Sequence, residues 1–332
     1  MSTIGASTRT LLDVAKSLDP DGKVAKVVEL LSMTNEILLD MPFREGNLPT
    51  GHRTTVRTGL PSVAWRLLNG GVTPSKSTKA QIDEQCGLLE AWSEVDVEVA
   101  NLNGDVGASR LSEAKAFLEA MNQEMASVLF YGAASSPEKF VGLSTRYSSL
   151  SAGNSQNIID AGGTGSDNTS VWLVVWGEET ITGIFPKGST AGLQHNDLGI
   201  QTVTVGTGIG GQRMRAYQDQ FVWKNGIALK DWRYVSRICN IDVSNLVTQS
   251  SAADLTKSMT RAYHRIPNIQ AGRAAWYMNR TVFEMLDIQR RDDVKGGGQL
   301  RYDVVDGQST PTFRGIPIRR SDSLLLTEAR VV

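Results

Sequence analysis

The glycine cluster Gly206-Thr-Gly208-Ile-Gly210-Gly211 is the part of the chain whose spacing most closely matches a known chemistry. It fits the G-x-G-x-x-G pattern of dinucleotide sites and follows an alternating segment, QTVTV. Such a site needs a helix directly after the glycines, because the helix N-terminus binds the pyrophosphate. The residues that follow, QRMRAYQDQFVW, alternate as in a strand. The pattern therefore favours a glycine-rich hairpin tip, and a nucleotide-binding enzyme is kept only as an alternative.

A second segment, Gly183 to Thr190, approaches the pattern of a phosphate-binding loop. In such loops the lysine follows the second glycine and reaches the phosphates. Here Lys187 precedes Gly188, so we interpret the segment as a turn. The chain also lacks the G-x-S-x-G elbow that would expose a serine nucleophile.

The three histidines, His52, His195 and His264, are far apart in the sequence. The run from Gln194 to Asp197 supplies only two good metal ligands, and no H-E-x-x-H motif accompanies it. A surface or hydrogen-bonded histidine is the preferred interpretation. The sequence therefore predicts no catalytic, cofactor or metal site, and a protein that is not an enzyme.

The composition is that of an ordinary globular protein, with 332 residues, 40% hydrophobic content and a net charge of −1. It argues against disorder and against a global attraction to nucleic acid or membranes. Cys86 and Cys239 lack the spacing of a disulfide framework or zinc site. The longest strongly apolar run, Val171 to Trp176, is far shorter than the roughly 20 residues of a membrane span. The N-terminal segment lacks the apolar core of a secretory signal, so we expect synthesis inside the cell and no membrane partner.

Charge is unevenly distributed along the chain. Residues 41–82 hold six basic residues and one acid, a net of +5, whereas residues 83–119 have a net of −7. The basic part contains a two-strand pattern, HRTTVRTGL and SVAWRLL, and no adjacent helix has a matching pattern to cover its apolar residues. A lone two-stranded ribbon is at best marginally stable in water. A projecting basic loop beside an acidic body favours assembly with neighbouring copies over catalysis.

Hydrophobic periodicity predicts the elements that surround this loop. The segment SEVDVEVA alternates as in a half-buried strand with an acidic face. From Ala108 to Tyr131, apolar residues recur every three or four positions, which predicts one long helix with Gly132 as its C-cap. At about 1.5 Å per residue this helix is on the order of 35 Å long.

The second half of the chain is predicted to be mostly β. VWLVVWG indicates a strand, and Asn225-Gly226 between alternating apolar residues predicts a type I′ hairpin turn. Further strands are expected at 274–278, LRYDVV and TFRGIPIRRSD, and helices at about 252–265 and 281–291. Two more helical segments are predicted between residues 8 and 40.

Four segments carry a family resemblance: NEILLDMPFREGNLPTGHRTTVRTGLPSVAWRLLNGGV, LSEAKAFLEAMNQEMASVLFYG, SPEKFVGLSTRYSSLS and NIIDAGGTGSDNTSVWLVVWGE. With the element order, they make the chain resemble the major capsid protein of tailed double-stranded DNA bacteriophages, in its podophage and siphophage family with the Hong Kong phage-type fold. The likeness extends from Leu11 to Asp322.

The resemblance implies an α+β fold in five parts. These are an N-terminal helical arm (1–50), an extended β-hairpin loop (51–80), a peripheral domain with a long spine helix (81–150), a β-rich axial domain (151–270), and strands and a helix that return to both domains (271–332).

The resemblance also implies a structural function. The chain would self-assemble into hexamers and pentamers of an icosahedral shell that encloses phage double-stranded DNA. Contacts between subunits would involve the loop residues Arg53, Arg57, Trp65, Arg66 and Leu67. An encapsulin-type compartment with the same fold and a protein cargo is the second alternative.

Further partners follow from the same resemblance. They are separate scaffolding, portal and decoration (cement) proteins, and packaged DNA in non-specific contact with the shell. The basic C-terminal part, residues 257–332, has thirteen basic and eight acidic residues, although an internally paired, solvated surface is the preferred interpretation there. The protein would reside in the virion after assembly in the bacterial host cytoplasm.

Overall fold

The computed structural model describes residues 33, 35–102, 105–205, 212–249, 252–292, 300–305 and 308–332. Its helices are α1 (Ile37–Asp40), α2 (Val97–Asn101), α3 (Val106–Tyr131), α4 (Leu143–Arg146), α5 (Val243–Thr248), α6 (Leu255–Arg265) and α7 (Arg280–Asp292). Its strands are β1 (Phe43–Glu45), β2 (Gly51–Gly59), β3 (Thr78–Asp96), β4 (Ile158–Asp160), β5 (Asn168–Trp176), β6 (Ile181–Phe185), β7 (Leu193–Val205), β8 (Gln212–Leu229), β9 (Val235–Asp242), β10 (Arg273–Met278), β11 (Leu300–Val305), β12 (Gln308–Phe313) and β13 (Ile316–Arg320). The α+β class is as predicted.

The described strands form one mixed sheet of 13 strands. Its main path runs β11-β12-β13-β10-β5-β6-β8-β3-β2, with β1, β4, β7 and β9 attached at its sides. β5 lies near the centre and every one of its residues is buried. Because strand side chains alternate between faces, Trp172 and Trp176 enter one core while Leu173 and Val175 enter the other. A strand covered on both faces has no polar alternation, which explains the apolar run VWLVVW.

Helices cover the two faces of the sheet. Met125 and Leu129 of α3 pack in the first core with Leu143 of α4. The second core contains apolar residues from α6 and α7, such as Met259 and Leu286. The helices predicted near 252–265 and 281–291 are therefore confirmed, and each lies on the sheet through its apolar side. No helix in the described part of the chain is long and apolar enough to cross a membrane.

The long helix is confirmed as α3, whose 26 residues span about 39 Å. Asp105 caps its N-terminus, where the Asp105 side chain accepts a hydrogen bond from the Ala108 amide at 2.9 Å. It ends at Gly132, as predicted, but φ there is −50°, which any residue adopts. Glycine is needed for its size, because a Cβ atom would lie 2.1 Å from the Phe140 carbonyl oxygen. The close approach of two backbone segments selects this residue.

Two strand assignments near the loop were wrong. SVAWRLL is irregular backbone, and β2 pairs instead with Thr78 to Gln85 at the start of β3. The alternating segment SEVDVEVA is strand only to Asp96, where the Asp96 side chain accepts from the Glu98 amide and caps α2. A distant pairing partner determines where β2 pairs, whereas a local side-chain cap ends β3 and begins α2.

The predicted turn at Asn225-Gly226 was also wrong, since both residues lie inside β8. Gly226 pairs with Cys86 of β3 on one side and with Ile184 of β6 on the other. A Cβ atom at Gly226 would lie 2.6 Å from the Gln85 carbonyl oxygen, so the glycine permits close strand packing. Pairing on both edges keeps the chain extended where the local dipeptide favours a turn.

The connection between β7 and β8 contains the glycine cluster, which lies outside the described residues. The flanking strands pair antiparallel up to Val205 and Gln212, so they form a hairpin, as predicted. Most of the two helical segments predicted between residues 8 and 40 also lies outside the described residues. In the described end only α1, Ile37–Asp40, is helical, so the prediction was wrong at residues 33, 35 and 36. β7 and β8, from the segment assigned to an axial domain, join β3, so one sheet crosses the predicted boundary. The five-part division stays a prediction.

Candidate inter-subunit surface

β2 and the first half of β3 form a hairpin whose base is fixed to the body of the protein. Register partners run from Gly51–Gln85 to Gly59–Thr78, with an irregularity between Arg57 and Gly59. At the base, Arg146 of α4 donates two hydrogen bonds of 2.6 Å to the buried carboxylate of Glu84. Such a bidentate pair fixes both distance and orientation. The hairpin therefore leaves the body at a defined angle.

Two small contacts complete the base. The Asn47 side chain accepts from the Arg53 amide at 2.7 Å and donates to the Arg53 carbonyl at 2.8 Å. It thus satisfies both backbone groups of one residue on the open edge of β2. On the other edge, a Cβ atom at Gly51 would lie 1.9 Å from the Glu84 carbonyl oxygen. Only glycine allows β2 to approach β3 this closely.

The loop that connects the two strands, residues 60–77, is exposed over nearly all of its length. Every residue from Leu60 to Lys76 is exposed, and Trp65 is fully so. A turn forms where the Gly70 amide donates to the Leu67 carbonyl at 3.0 Å, with Asn69 at φ 65°. The loop exposes several large apolar side chains: Leu60, Val63, Trp65, Leu67, Leu68 and Val72. Monomeric proteins rarely leave such a set uncovered, which points to a partner surface.

The five residues predicted to contact a neighbour fall into two groups. Arg53 and Arg57 lie on β2, whereas Trp65, Arg66 and Leu67 lie in the loop. Arg53 binds Asp83 directly across the hairpin at 2.6 Å, and this hydrogen bond raises the pKa of Arg53. Arg57 and Arg66 are exposed. Whether any of the five touches a neighbour stays a prediction.

The body of the protein presents an acidic strand face. Along β3, Ser93 and Val95 are buried, so Glu90, Trp92 and Glu94 point to the opposite side. On that side Gln220 donates to Glu90 at 2.6 Å and Gln218 donates to Glu94 at 2.8 Å. Trp92 is about half exposed. These contacts hold the carboxylates in an open row that suits a basic partner.

An apolar pocket opens between residues 87–89 of β3 and α3, on the opposite face of β3 from this row. We call it the Phe140 pocket; its lining residues are Gly87, Leu88, Leu89, Glu124, Met125, Val128, Glu138, Lys139 and Phe140. Its volume is about 130 Å³. Lys139 binds Glu124 at 2.7 Å at the rim, and Glu138 and Leu88 are exposed. The pocket thus has an apolar interior and an acidic edge.

Sequence reasoning missed the residues that hold the hairpin and form the pocket. Glu84 and Arg146 are 62 positions apart, and neither belongs to a motif. Phe140 lies in a short segment without periodicity. The one available signal was Gly87, a glycine inside a strand pattern, which often marks close backbone approach. A Cβ atom there would meet the Glu138 carbonyl oxygen at 3.2 Å.

His195 lies in a hydrogen-bonded cluster, and the two cysteines do not form a disulfide. The His195 ring lies 2.8 Å from Asp219, which also binds Arg110 at 2.7 Å, so the hydrogen-bonded interpretation of this histidine is confirmed. Among the described residues no group of three or more His, Cys, Asp or Glu side chains could hold a metal ion. Cys86 and Cys239 are free thiols, and burial raises their pKa to about 11 and about 12.

Comparison with known proteins agrees with this geometry. The family model for major capsid protein GP7 matches residues 19–332. The chain is similar to a chain of the cryo-EM structure of bacteriophage Epsilon15, with 33% identity and a TM-score of 0.78, over 100% of this chain and 99% of that one. A search of curated proteins found no match.

Two more distant structures resemble this chain weakly and carry no further argument. The bacteriophage JBD30 capsid has 9% identity and a TM-score of 0.46, over 89% of this chain and 92% of that one. The capsid of the native GTA particle has 10% identity and a TM-score of 0.44, over 68% and 95%.

The family match extends over most of the chain, and the Epsilon15 likeness over all of it. Neither the encapsulin-type alternative nor the nucleotide-binding one finds support in these matches. An exposed apolar loop on an anchored hairpin is also what we expect of a subunit that is completed by its neighbours. The chain belongs to the major capsid protein GP7 family and is a structural subunit of a tailed-phage virion shell.

Proposed function

We propose that the subunits form hexamers and pentamers of an icosahedral shell around phage double-stranded DNA, and that loop 60–77 of each subunit lies on the next. The observation that carries this proposal is the exposure of the whole loop, with its large apolar side chains, on a hairpin held at its base. Covering those side chains requires a partner, and a shell protein has identical neighbours.

The positive charge of the hairpin and loop favours binding to the acidic body of the neighbouring subunit. Arg57, Arg66 and Lys76 are exposed on the hairpin and loop, while Glu90 and Glu98 are exposed on the body. Opposite charges steer association and suppress wrong orientations. Exposed ion pairs contribute about 0–1 kcal/mol each, whereas buried aromatic anchors often contribute 2 kcal/mol or more. Trp65 would therefore supply affinity, and the arginines would set the register.

Substitution of Trp65 and Arg57 tests this proposal. We expect Trp65→Ala combined with Arg57→Glu to abolish shells seen by negative-stain electron microscopy, because an anchor is lost and one charge is reversed. Both side chains project into solvent in the single subunit, so its thermal unfolding should not change.

The control is Leu198→Ala combined with Arg213→Glu, which truncates another exposed apolar side chain and makes the same charge reversal on the β7–β8 hairpin. It should retain most of the shell yield. Normal shells from the Trp65/Arg57 variant would reject the loop contact.

Other roles follow from family membership. We propose that the N-terminal arm extends the contact between subunits, and that separate scaffolding, portal and decoration proteins assist assembly in the host cytoplasm. We also propose non-specific contact with packaged DNA. A structural role requires no catalytic, cofactor or metal site, and we propose that the chain has no enzymatic activity.

A further inference from the structure

We propose that the Phe140 pocket receives the indole of Trp65 from the adjacent subunit. This inference rests on the proposed function, because it names the contact by which the loop would hold a neighbour. The proposed contact places Trp65, the most exposed aromatic side chain of the described residues, in an apolar pocket with an open mouth.

The size of the pocket suits part of an aromatic side chain. Its volume of about 130 Å³ is close to the roughly 150 Å³ of an apolar cavity that holds benzene. Leu89, Met125, Val128 and Phe140 supply apolar surface, and the mouth is open to solvent. Enclosing the ring would remove apolar area from water on both partners.

Charge around the two surfaces is complementary. In the loop, Arg66 follows Trp65 directly. At the pocket rim, Glu138 is exposed, and Glu124 is shared with Lys139. An indole in the pocket would bring Arg66 beside these carboxylates. The aromatic group would provide affinity while the arginine fixes its orientation.

The pocket cannot be filled by Trp65 of the same subunit. The paired strands separate Gln85 at the base from Thr78 at the far end by seven steps, or about 23 Å. The pocket lies at the base end, at Gly87 to Leu89, and the loop lies beyond the far end. Since residues 60–76 are all exposed, the loop does not fold back onto the body. The occupant must therefore come from a second copy.

A side chain at one end of the subunit and a pocket at the other make a heterologous contact. Such a contact generates closed rings when the rotation between neighbours closes. The proposed pairing therefore provides the head-to-tail link that rings of five or six subunits require.

Filling the pocket mouth from within the same chain tests the inference. Glu138 and Glu179 are both exposed, but only Glu138 lies at the rim of the pocket. We expect Glu138→Trp to reduce shell yield at least tenfold by occupying the mouth, and Glu179→Trp, which removes an equal charge, to leave it within twofold. Thermal unfolding of the free subunit should be unchanged in both.

A cross-linking experiment provides a second, independent measurement. Ala64→Cys with Glu138→Cys retains Trp65 and places one thiol next to it and one at the rim. Mild oxidation of assembled shells should give a ladder of linked subunits on a non-reducing gel. Ala64→Cys with Leu118→Cys, whose second thiol lies on α3 away from the pocket, should not.

Either of two outcomes would contradict the proposal that the Phe140 pocket receives Trp65. One is normal shells from Glu138→Trp, and the other is equal cross-linking in the two cysteine pairs. If the Trp65/Arg57 variant still failed to assemble in that case, the loop contact would stand and only its docking position would be wrong. If that variant assembled as well, both proposals would fail.

Discussion

Glu328 shows how a single buried charge ties distant parts of this subunit together. Its carboxylate accepts hydrogen bonds from Tyr131, Ser170 and Arg237, the last at 2.8 Å. Its backbone amide donates to the Asn168 carbonyl at 2.7 Å. Burial, and then the Glu328 charge, raise the pKa of Tyr131, so its phenol stays protonated and donates. The C-terminal segment is thereby held against α3 and β5.

Removing this carboxylate should be far more costly than removing an exposed one. We expect Glu328→Ala to lower the free energy of unfolding by about 3–5 kcal/mol, because the buried Arg237 guanidinium loses its partner. Urea denaturation of the unassembled subunit measures this. Glu178→Ala, which breaks the exposed pair with Arg44, should cost under about 1 kcal/mol. Equal losses would show that the buried pair contributes no more than the surface one.

At the scale of elements, the hairpin depends on its base for a defined direction. A two-stranded ribbon is unstable alone, so the contacts of Glu84, Asn47 and Gly51 with their neighbours must hold it. β3 then continues into the sheet beside β8, which joins the hairpin and the body through one strand. The loop is exposed, but the base of its hairpin is held by defined contacts.

Gly51→Ala should loosen the hairpin without changing the loop sequence. The added Cβ atom would lie 1.9 Å from the Glu84 carbonyl oxygen, so β2 must move away from β3. We expect amide hydrogen exchange across β2 to accelerate at least tenfold. Gly71→Ala is the control, because a Cβ atom there meets nothing within 4 Å. If amide exchange in Gly51→Ala were unchanged, β3 would have shifted to accommodate the added Cβ atom without loosening the hairpin, and the prediction would be wrong.

At the scale of the whole molecule, the near-zero net charge conceals separate charged faces. On α6, Lys257, Arg261 and Arg265 are exposed at intervals of four residues, so they lie along one side about 6 Å apart. The C-terminal part that includes this helix carries an excess of basic residues. We therefore propose this side of α6 as a surface for contact with packaged DNA.

Charge reversal on α6 should weaken DNA binding in a salt-dependent way. Each phosphate contact contributes a slope of about −0.9 to log K against log salt. We expect Arg261→Glu with Arg265→Glu to make the slope for a short duplex shallower by about 2, measured by fluorescence anisotropy. Arg213→Glu with Arg215→Glu, at exposed positions of β8, should have little effect. If the slope changed equally in both variants, DNA binding would depend on the overall charge of the protein and not on α6.

Some features of this subunit follow from the sequence alone. The spacing of apolar residues determined α3, and the uninterrupted run VWLVVW determined β5, because both patterns report burial through a fixed helical or strand period. The exposure of Trp65 and Leu67 was also predictable, since nothing near them in sequence could cover them. These are local properties, and a window of ten to twenty residues contains them.

Tertiary structure alone decided the remainder. Asn225-Gly226 favours a turn in isolation, but pairing with β3 and β6 on both edges holds it extended. The partner of β2, the Glu84–Arg146 clamp and the Phe140 pocket each join residues far apart in the chain. These features are stabilised by contacts that form only when distant segments meet, so a local sequence pattern cannot predict them. The loop was therefore visible in the sequence, while the surface that could receive it was not.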